Sequence, residues 1–237
     1  VICVIPARYG STRFPGKPLA PVLGKPLVRW VWEKARLADV FDEIIIATDD
    51  RRIFDAAVSF GARAMMTSRS CASGTDRAAE VSAKIKPDYT VNLQGDEPLI
   101  QPAVISKTVH AIMRDRTAVV STPVCYVKDG RQPDPNTAKV VFDKNGYALY
   151  FSRLPIPAVF NQMPCGGYYK HIGLYAYRAD FLKKFVRMDR SMLEKKEKLE
   201  QLRILENGYR IKVVCVKHDT VPVDSPDDIR KVERILK

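Results

Sequence analysis

The sequence predicts an α/β fold: a mostly parallel central sheet with helices on both faces, plus a β-rich insert. Three observations predict it. Short apolar runs recur in the first half, at Val1–Ile5, Glu43–Ala47 and Tyr89–Leu93, and runs of that length suit strands buried on both faces. Segments with apolar residues at helical spacing separate them, which is the pattern of strand–helix–strand units. From about Ala118 the helical spacing gives way to strand-like alternation. The 237 residues, 46% of them hydrophobic, suit a single domain spanning 1–237.

The elements follow in order. Val1–Ile5 is a buried strand. Pro26–Ala38 is a helix with Leu27, Trp30, Val31 and Ala35 on its apolar face. Glu43–Ala47 is a strand leading into Thr48-Asp49-Asp50. Arg51–Phe60 is a helix ended by Gly61, and Ala62–Met66 a short strand. Ser73–Ile85 is helical, Tyr89–Leu93 a buried strand and Pro102–Arg114 a helix. In the β-rich insert, at about 118–178, Ala118–Tyr126 is a strand. Ala138–Phe142 and Tyr147–Phe151 flank Asn145-Gly146, the strongest short hairpin signal. Tyr168–Arg178 alternates and reads as one strand, and the whole insert suits a lid or a dimer surface. The chain then returns to α/β. Glu197–Glu206 is a helix closed by Asn207-Gly208. Ile211–Val216 is a buried strand. Ser225–Leu236 is a helix with Ser225 as N-cap and Pro226, Asp227 and Asp228 in its first turn.

Composition narrows the function. Lys and Arg number 39 against 27 Asp and Glu, a net charge of +12. Such an excess fits a nucleic acid, an acidic surface or a polyanionic small substrate. The basic residues are spread over many helices and no nucleic-acid motif is present, so a nucleic-acid partner is not expected. No apolar run approaches the roughly 20 residues of a membrane span, and VICVIPA is too short for a signal-peptide core. The five cysteines are scattered and form no CxxC, so neither a disulfide framework nor a zinc knuckle is expected. Cys3 and Cys215 lie in apolar runs and read as core. A reducing cytoplasm follows. The basic stretch Lys183–Lys198 reads as a solvated face.

The clearest chemical signal is Pro6-Ala7-Arg8-Tyr9-Gly10-Ser11-Thr12-Arg13-Phe14-Pro15-Gly16-Lys17-Pro18, directly after the first strand. Ligands of such sheets bind at the carboxyl ends of the strands. Its glycines and prolines make a shaped, non-helical loop, and Arg8, Arg13 and Lys17 have no acid within it to offset them. Exposed N–H groups and three cations suit a polyphosphate. Gly10 and Gly16-Lys17 are one residue too far apart for a Walker A loop, Pro18 stands where Ser or Thr would hold magnesium, and G-x-G-x-x-G is absent. Asn92-Leu93-Gln94-Gly95-Asp96-Glu97-Pro98 ends a central strand and places Asp96 at the ligand edge of the sheet. Asp224 stands just before the last helix. Carboxylates with phosphate oxygens suit Mg²⁺.

With these segments, SGTDRAAE, GYALYFSRLPIP, KHIGLYAYR, EKLEQLRILENG and VDSPDDI, the chain closely resembles the 3-deoxy-manno-octulosonate cytidylyltransferases (CMP-Kdo synthetases), in family order over essentially its whole length. The resemblance implies a nucleotide-diphospho-sugar transferase fold, a homodimer, and transfer of the cytidylyl group of CTP to 3-deoxy-D-manno-octulosonate (Kdo) with release of pyrophosphate, for lipopolysaccharide assembly. It implies that Ala7, Arg8, Arg13 and Lys17 meet the triphosphate and that Ser73, Gly74 and Arg77 help to fix the cytidine. It implies that Asp96 and Asp224 hold Mg²⁺, and that Gln94, Arg153, His171, Tyr175, Glu200 and Gln201 line the sugar pocket. Arg8, Lys17 and Asp96 would be catalytic, because phosphoryl transfer rests on positioning and on stabilising developing charge. Arg153 and His171 suit the sugar carboxylate. Leu199, Leu202 and Leu205 would face the core, leaving Glu200 and Gln201 to the sugar hydroxyls. The alternative substrates are 8-amino-Kdo and N-acetylneuraminate. Two positions depart from the family pattern: Cys71 stands where a His is usual, and Val221-Pro222-Val223 precedes Asp224 where His-Gly is common.

Overall fold

Every second residue of the first strand, β1 (Ile2–Ala7), faces one of two helical layers. Cys3, Ile5 and Ala7 pack with Val28, Val31 and Ala35 of α1 (Leu27–Arg36), while Ile2 and Val4 pack with Ala78 and Val81 of α3 (Gly74–Ile85). A strand buried on both faces must read as an unbroken apolar run, as this one does. The computed structural model describes residues 1–10, 14–128, 135–158 and 166–237. Arg13 and Cys165 lie outside the described residues.

After β1, a small hairpin of β2 (Pro21–Val22) and β3 (Lys25–Pro26) leads into α1. β4 (Glu43–Thr48), α2 (Arg51–Ser59) and β5 (Arg63–Met66) follow. α3 runs to β6 (Tyr89–Leu93), and α4 (Pro102–Arg114) to β7 (Ala118–Val127). Next come β8 (Lys139–Phe142), β9 (Ala148–Ser152), β10 (Tyr168–His171) and β11 (Leu174–Arg178). α5 (Ala179–Phe185), α6 (Met192–Glu197), α7 (Gln201–Glu206), β12 (Arg210–Val216) and α8 (Pro226–Leu236) complete the chain. The sheet runs β5-β4-β1-β6-β11-β7-β10-β8-β9, with β12 on β7. Its first four strands are parallel, and antiparallel pairing begins where β11 joins β6. β7 and β11 are therefore strands of the same sheet as the α/β half.

From β1 the chain moves to β4 on one side and returns later to β6 on the other. The gap between the carboxyl ends of β1 and β6 is thus a topological switch point, where open sheets of this kind leave a crevice for ligands. A second apolar cluster lies under the antiparallel half, where Phe151, Tyr177, Phe185, Leu202 and Ile211 meet. Each such side chain contributes roughly 1.5–3 kcal/mol on full burial.

Four expectations need correction. Tyr168–Arg178 is two strands: β10 and β11 both pair antiparallel with β7, but His171 faces Val124 and Ala176 faces Ser121, so two extra residues are taken up at Ile172-Gly173. The Glu197–Glu206 helix is also interrupted. Lys198 adopts a left-handed conformation (φ 55°) that ends α6, and α7 starts afresh at Gln201. Gln201 is buried rather than turned outwards, because Leu202 and Ile204 fill the core and Leu205 is only half-buried. Cys215 is exposed, while Ile211, Val213 and Val216 of the same strand are buried. Lys183–Lys198 is largely a solvated face, but Phe185 is buried in the core and Glu194 is buried in a two-pronged ion pair with Arg203 at 2.7 Å.

Candidate active site

The cleft at the switch point has a volume of about 380 Å³, within the range of small-molecule sites. Ala7 and Arg8 continue β1 into it, and Arg8 is exposed. Gln94, Gly95 and Asp96 enter from the end of β6. Gly95 is required there, because a Cβ would stand 2.8 Å from the Pro6 carbonyl oxygen. Ser73, Gly74 and Arg77 enter from α3. Ser73 caps that helix reciprocally: its Oγ accepts from the Asp76 N–H, and the Asp76 carboxylate accepts from the Ser73 N–H. The capped helix start therefore opens onto the cleft, an arrangement that favours anions. Arg77 is buried, donating to Asp49 Oδ2 at 3.0 Å and to the Thr67 hydroxyl. Cys71 lines the cleft beside them, its thiol pKa raised by burial and by a 3.5 Å contact to Glu80.

Lys17 is not uncompensated, as its own loop alone would suggest. Its ammonium lies 2.6 Å from Asp96 Oδ2, 2.8 Å from the Val223 carbonyl oxygen and 3.7 Å from Asp224 Oδ1. Loop and acids are far apart in the chain, and only the fold brings them together. The Val223 N–H donates to the Asp96 carbonyl, which locks the two acid-bearing loops to each other. Two carboxylates converging on one cation give the hard oxygen donors that a magnesium ion takes. Among the described residues no cluster of three or more His, Cys, Asp or Glu could hold a metal, so further ligands would have to come from substrate or water, as is usual for Mg²⁺. Asp96 and Asp224 therefore fit the ion.

The other expected residues divide. His171, Tyr175, Glu200 and Gln201 gather beside the cleft. The rings of His171 and Tyr175 are 5.2 Å apart, and the Tyr175 hydroxyl donates to Gln201 Oε1 at 3.1 Å. Gln201 Nε2 is buried with no partner among the described residues, a donor left for a ligand oxygen. Burial pushes the His171 pKa down to about 3, so the ring is neutral and not the cationic partner expected for a carboxylate. The Thr122 hydroxyl has one proton and donates it to the Leu174 carbonyl at 2.8 Å. His171 Nε2, 2.8 Å from that hydroxyl, must then carry hydrogen, which leaves Nδ1 as an acceptor. Arg153 shares no hydrogen bond with these four: its guanidinium donates to the carbonyls of Pro135, Asn136, Glu197 and Lys198.

Two kinds of residue escaped the sequence reading. Glu97 is buried behind Asp96, with Oε2 unpartnered among the described residues, and burial followed by the Asp96 charge raises its pKa to about 7. Thr75 and Asn92 are buried polar residues between the two halves of the site. The available signals were the second acid of Asp96-Glu97 and an amide inside the apolar run Tyr89–Leu93.

A family model described as cytidylyltransferase matches residues 2–212. A 3-deoxy-manno-octulosonate cytidylyltransferase from Geotalea uraniireducens is 48% identical over 100% of this chain and 99% of its own length. One from Arabidopsis thaliana, named as mitochondrial, is 44% identical over 100% of this chain and 83% of its own. Among solved structures, a CMP:2-keto-3-deoxy-manno-octonic acid synthetase complexed with CTP superposes with a TM-score of 0.94 at 41% identity, covering 99% of this chain and 97% of that one. A cytidylyltransferase from Leptospira borgpetersenii shares the fold, with a TM-score of 0.63 at 15% identity over 98% and 84% of the two chains. A capped helix start, a basic loop and two converging carboxylates at a switch point thus occur in a chain that matches these enzymes along its full length, and the chain belongs to the 3-deoxy-manno-octulosonate cytidylyltransferase family.

Proposed function

We propose that the chain transfers the cytidylyl group of CTP to Kdo, giving CMP-Kdo and pyrophosphate. The observation that carries this reading is the convergence of Lys17, Asp96 and Asp224 beside the Ser73 helix start, with a sugar-sized set of hydroxyl, amide and carboxylate groups adjoining. A sugar hydroxyl oxygen attacks the α-phosphorus, the bond to the pyrophosphate oxygen breaks, and negative charge grows on the phosphoryl oxygens and the leaving group. Arg8 and Lys17 face that charge. Gly74, next to the capping Ser73, offers its backbone N–H at the helix start, and Arg77 is held rigid by Asp49 and Thr67. Gln201 Nε2, His171 Nδ1 and Glu200 supply one donor and two acceptors to the sugar. A divalent ion on Asp96 and Asp224 would neutralise phosphoryl oxygens and acidify a bound hydroxyl, and we take it to be Mg²⁺.

The test is pyrophosphate release from CTP with Kdo, 8-amino-Kdo or N-acetylneuraminate, and with no sugar. Release is expected with Kdo alone and is expected to stop in excess chelator. Equal or greater release with another acid, or full activity in chelator, would overturn the corresponding part.

We further propose a cytoplasmic homodimer that supplies activated Kdo for lipopolysaccharide. Cys3, Cys71 and Cys215 are free thiols, which suits a reducing compartment. Tyr126, Leu149 and Leu154 are exposed at 45%, 62% and 70% in the β-rich region, apolar side chains that a second copy would take out of water. Sedimentation equilibrium is expected to give twice the 26.8 kDa chain mass; a monomer at micromolar concentration would refute the dimer.

A further inference from the structure

Four polar side chains form one hydrogen-bonded line from the nucleotide cleft to the sugar cluster. Gln94 Nε2 donates to Asn92 Oδ1 at 3.2 Å, and Asn92 Nδ2 donates to Thr75 Oγ1 at 3.2 Å. Thr75 Oγ1 donates to Glu200 Oε2 at 2.8 Å. Asn92 is completely buried and Thr75 is 2% exposed. Neither reaches the cleft surface, and a buried amide in a central strand is tolerated only when it is paired.

The direction of the line follows from chemistry. The Glu200 carboxylate only accepts, so the single Thr75 proton points to it. Thr75 must then accept from its other neighbours, so Asn92 turns its NH₂ towards Thr75 and its oxygen towards Gln94. Gln94 answers with its NH₂, which leaves Gln94 Oε1 as the open end. That oxygen lies beside Gly74, 3.4 Å from where a Cβ would stand on that residue. The Tyr177 hydroxyl also interacts with the Thr75 hydroxyl. The charge of Glu200 on α7's edge therefore sets which atom Gln94 presents at the end of β6.

We propose that Thr75 and Asn92 are positioning residues for the acidic-sugar substrate: through them Glu200 and Gln94 are held as a matched pair of acceptors for sugar hydroxyls. The proposal rests on the Kdo reading above. Both ends of the line are sugar groups in that reading, whereas the triphosphate groups Arg8 and Lys17 stand outside the line. Its loss should therefore weaken the sugar and spare CTP.

The experiment is steady-state kinetics of Thr75→Val and Thr75→Ser with both substrates varied. Valine keeps the shape but removes the proton and both lone pairs. The Michaelis constant for Kdo is expected to rise about tenfold or more, with a fall in kcat, because Glu200 and the Asn92 amide lose their fixed partner. The constant for CTP is expected to stay within about twofold. Serine restores the hydroxyl and is expected to return the Kdo constant to within about threefold of wild type. If the valine variant does not fold, Thr75→Ala replaces it, alanine being the stronger helix former. A Kdo constant and kcat within twofold of wild type in the hydroxyl-free variant would overturn the proposal. So would an equal rise for both substrates, or a serine variant as impaired as the valine one, since each of these is what a packing role gives. Wild-type enzyme that releases no pyrophosphate with Kdo would overturn the functional reading instead, and the two failures are told apart by that control.

Discussion

Asp96→Asn lowers kcat by about 10²–10³-fold or more while leaving the fold intact, a loss of roughly 3–4 kcal/mol of transition-state stabilisation. Asparagine keeps the shape and one oxygen but removes the negative charge. Two things then fail together. The carboxylate no longer offers a hard anionic ligand to a divalent ion, and Lys17 loses the 2.6 Å partner that aims it. The Asp96 side chain is 26% exposed, so the change strands no buried charge and the thermal midpoint is expected to move by only a few degrees. Asp224→Asn acts in the same direction. It leaves the shorter Lys17 contact in place, since Asp224 Oδ1 is 3.7 Å from the ammonium, so its loss in kcat is expected to be dominated by the metal. Pyrophosphate release at saturating CTP and Kdo measures both. Turnover within tenfold of wild type in Asp96→Asn, with circular dichroism unchanged, would remove Asp96 from the mechanism.

The groups that make up this constellation differ in how far local sequence reveals them. β6 and α4 fall on the expected residues because their signals are local: an apolar run ended by Gly95 and Pro98, and Pro102 opening a helical period. The basic loop and Asp96 were legible for the same reason, since each follows a strand whose carboxyl end must face the ligand edge. The interruptions at Gly173 and Lys198 were not legible. Gly173 sits where a Cβ would stand 3.2 Å from Gln94 Cγ, a tertiary constraint from another strand. Lys198 ends a helix without glycine, so the usual signal for a left-handed cap is missing. Burial of Gln201 follows from that break, because restarting the helix rotates its faces. His171 carries no local sign of its neutrality, which comes from burial among β7, β9 and β11. The offsetting of Lys17 was likewise hidden, since Asp96 and Asp224 lie 79 and more residues away. Lys17, set against Asp96 and Asp224, thus adds nothing to the +12 net charge, which is spread over many elements of the chain.

Lys17→Met separates two roles that the geometry gives to one ammonium. Methionine has similar length and no charge, so the side chain can still lie along its channel between β1 and the 223–224 loop. With nucleotide and sugar present, the variant lacks a cation facing the triphosphate, and kcat is expected to fall by about 10²–10³-fold, in the range for removal of one charge-stabilising donor. Without nucleotide the expected sign reverses. In the free enzyme Lys17 neutralises Asp96 at 2.6 Å and stands 3.7 Å from Asp224. A divalent ion must compete with that ammonium for the same oxygens, and like charges brought close together repel strongly at a partly buried site. Removing the ammonium is therefore expected to tighten Mg²⁺ or Mn²⁺ binding to the nucleotide-free protein by about tenfold or more, while catalysis is lost. Titration calorimetry on metal-stripped protein reads the first effect and pyrophosphate release the second. A simple loss of structure would weaken both, and a lysine that only neutralised the acids would leave turnover intact once metal was saturating. Only a group that balances the carboxylates at rest and meets phosphate charge during turnover gives tighter metal binding together with slower chemistry. Unchanged metal affinity in the folded variant would show that Asp96 and Asp224 do not share the ion with Lys17 as their competitor.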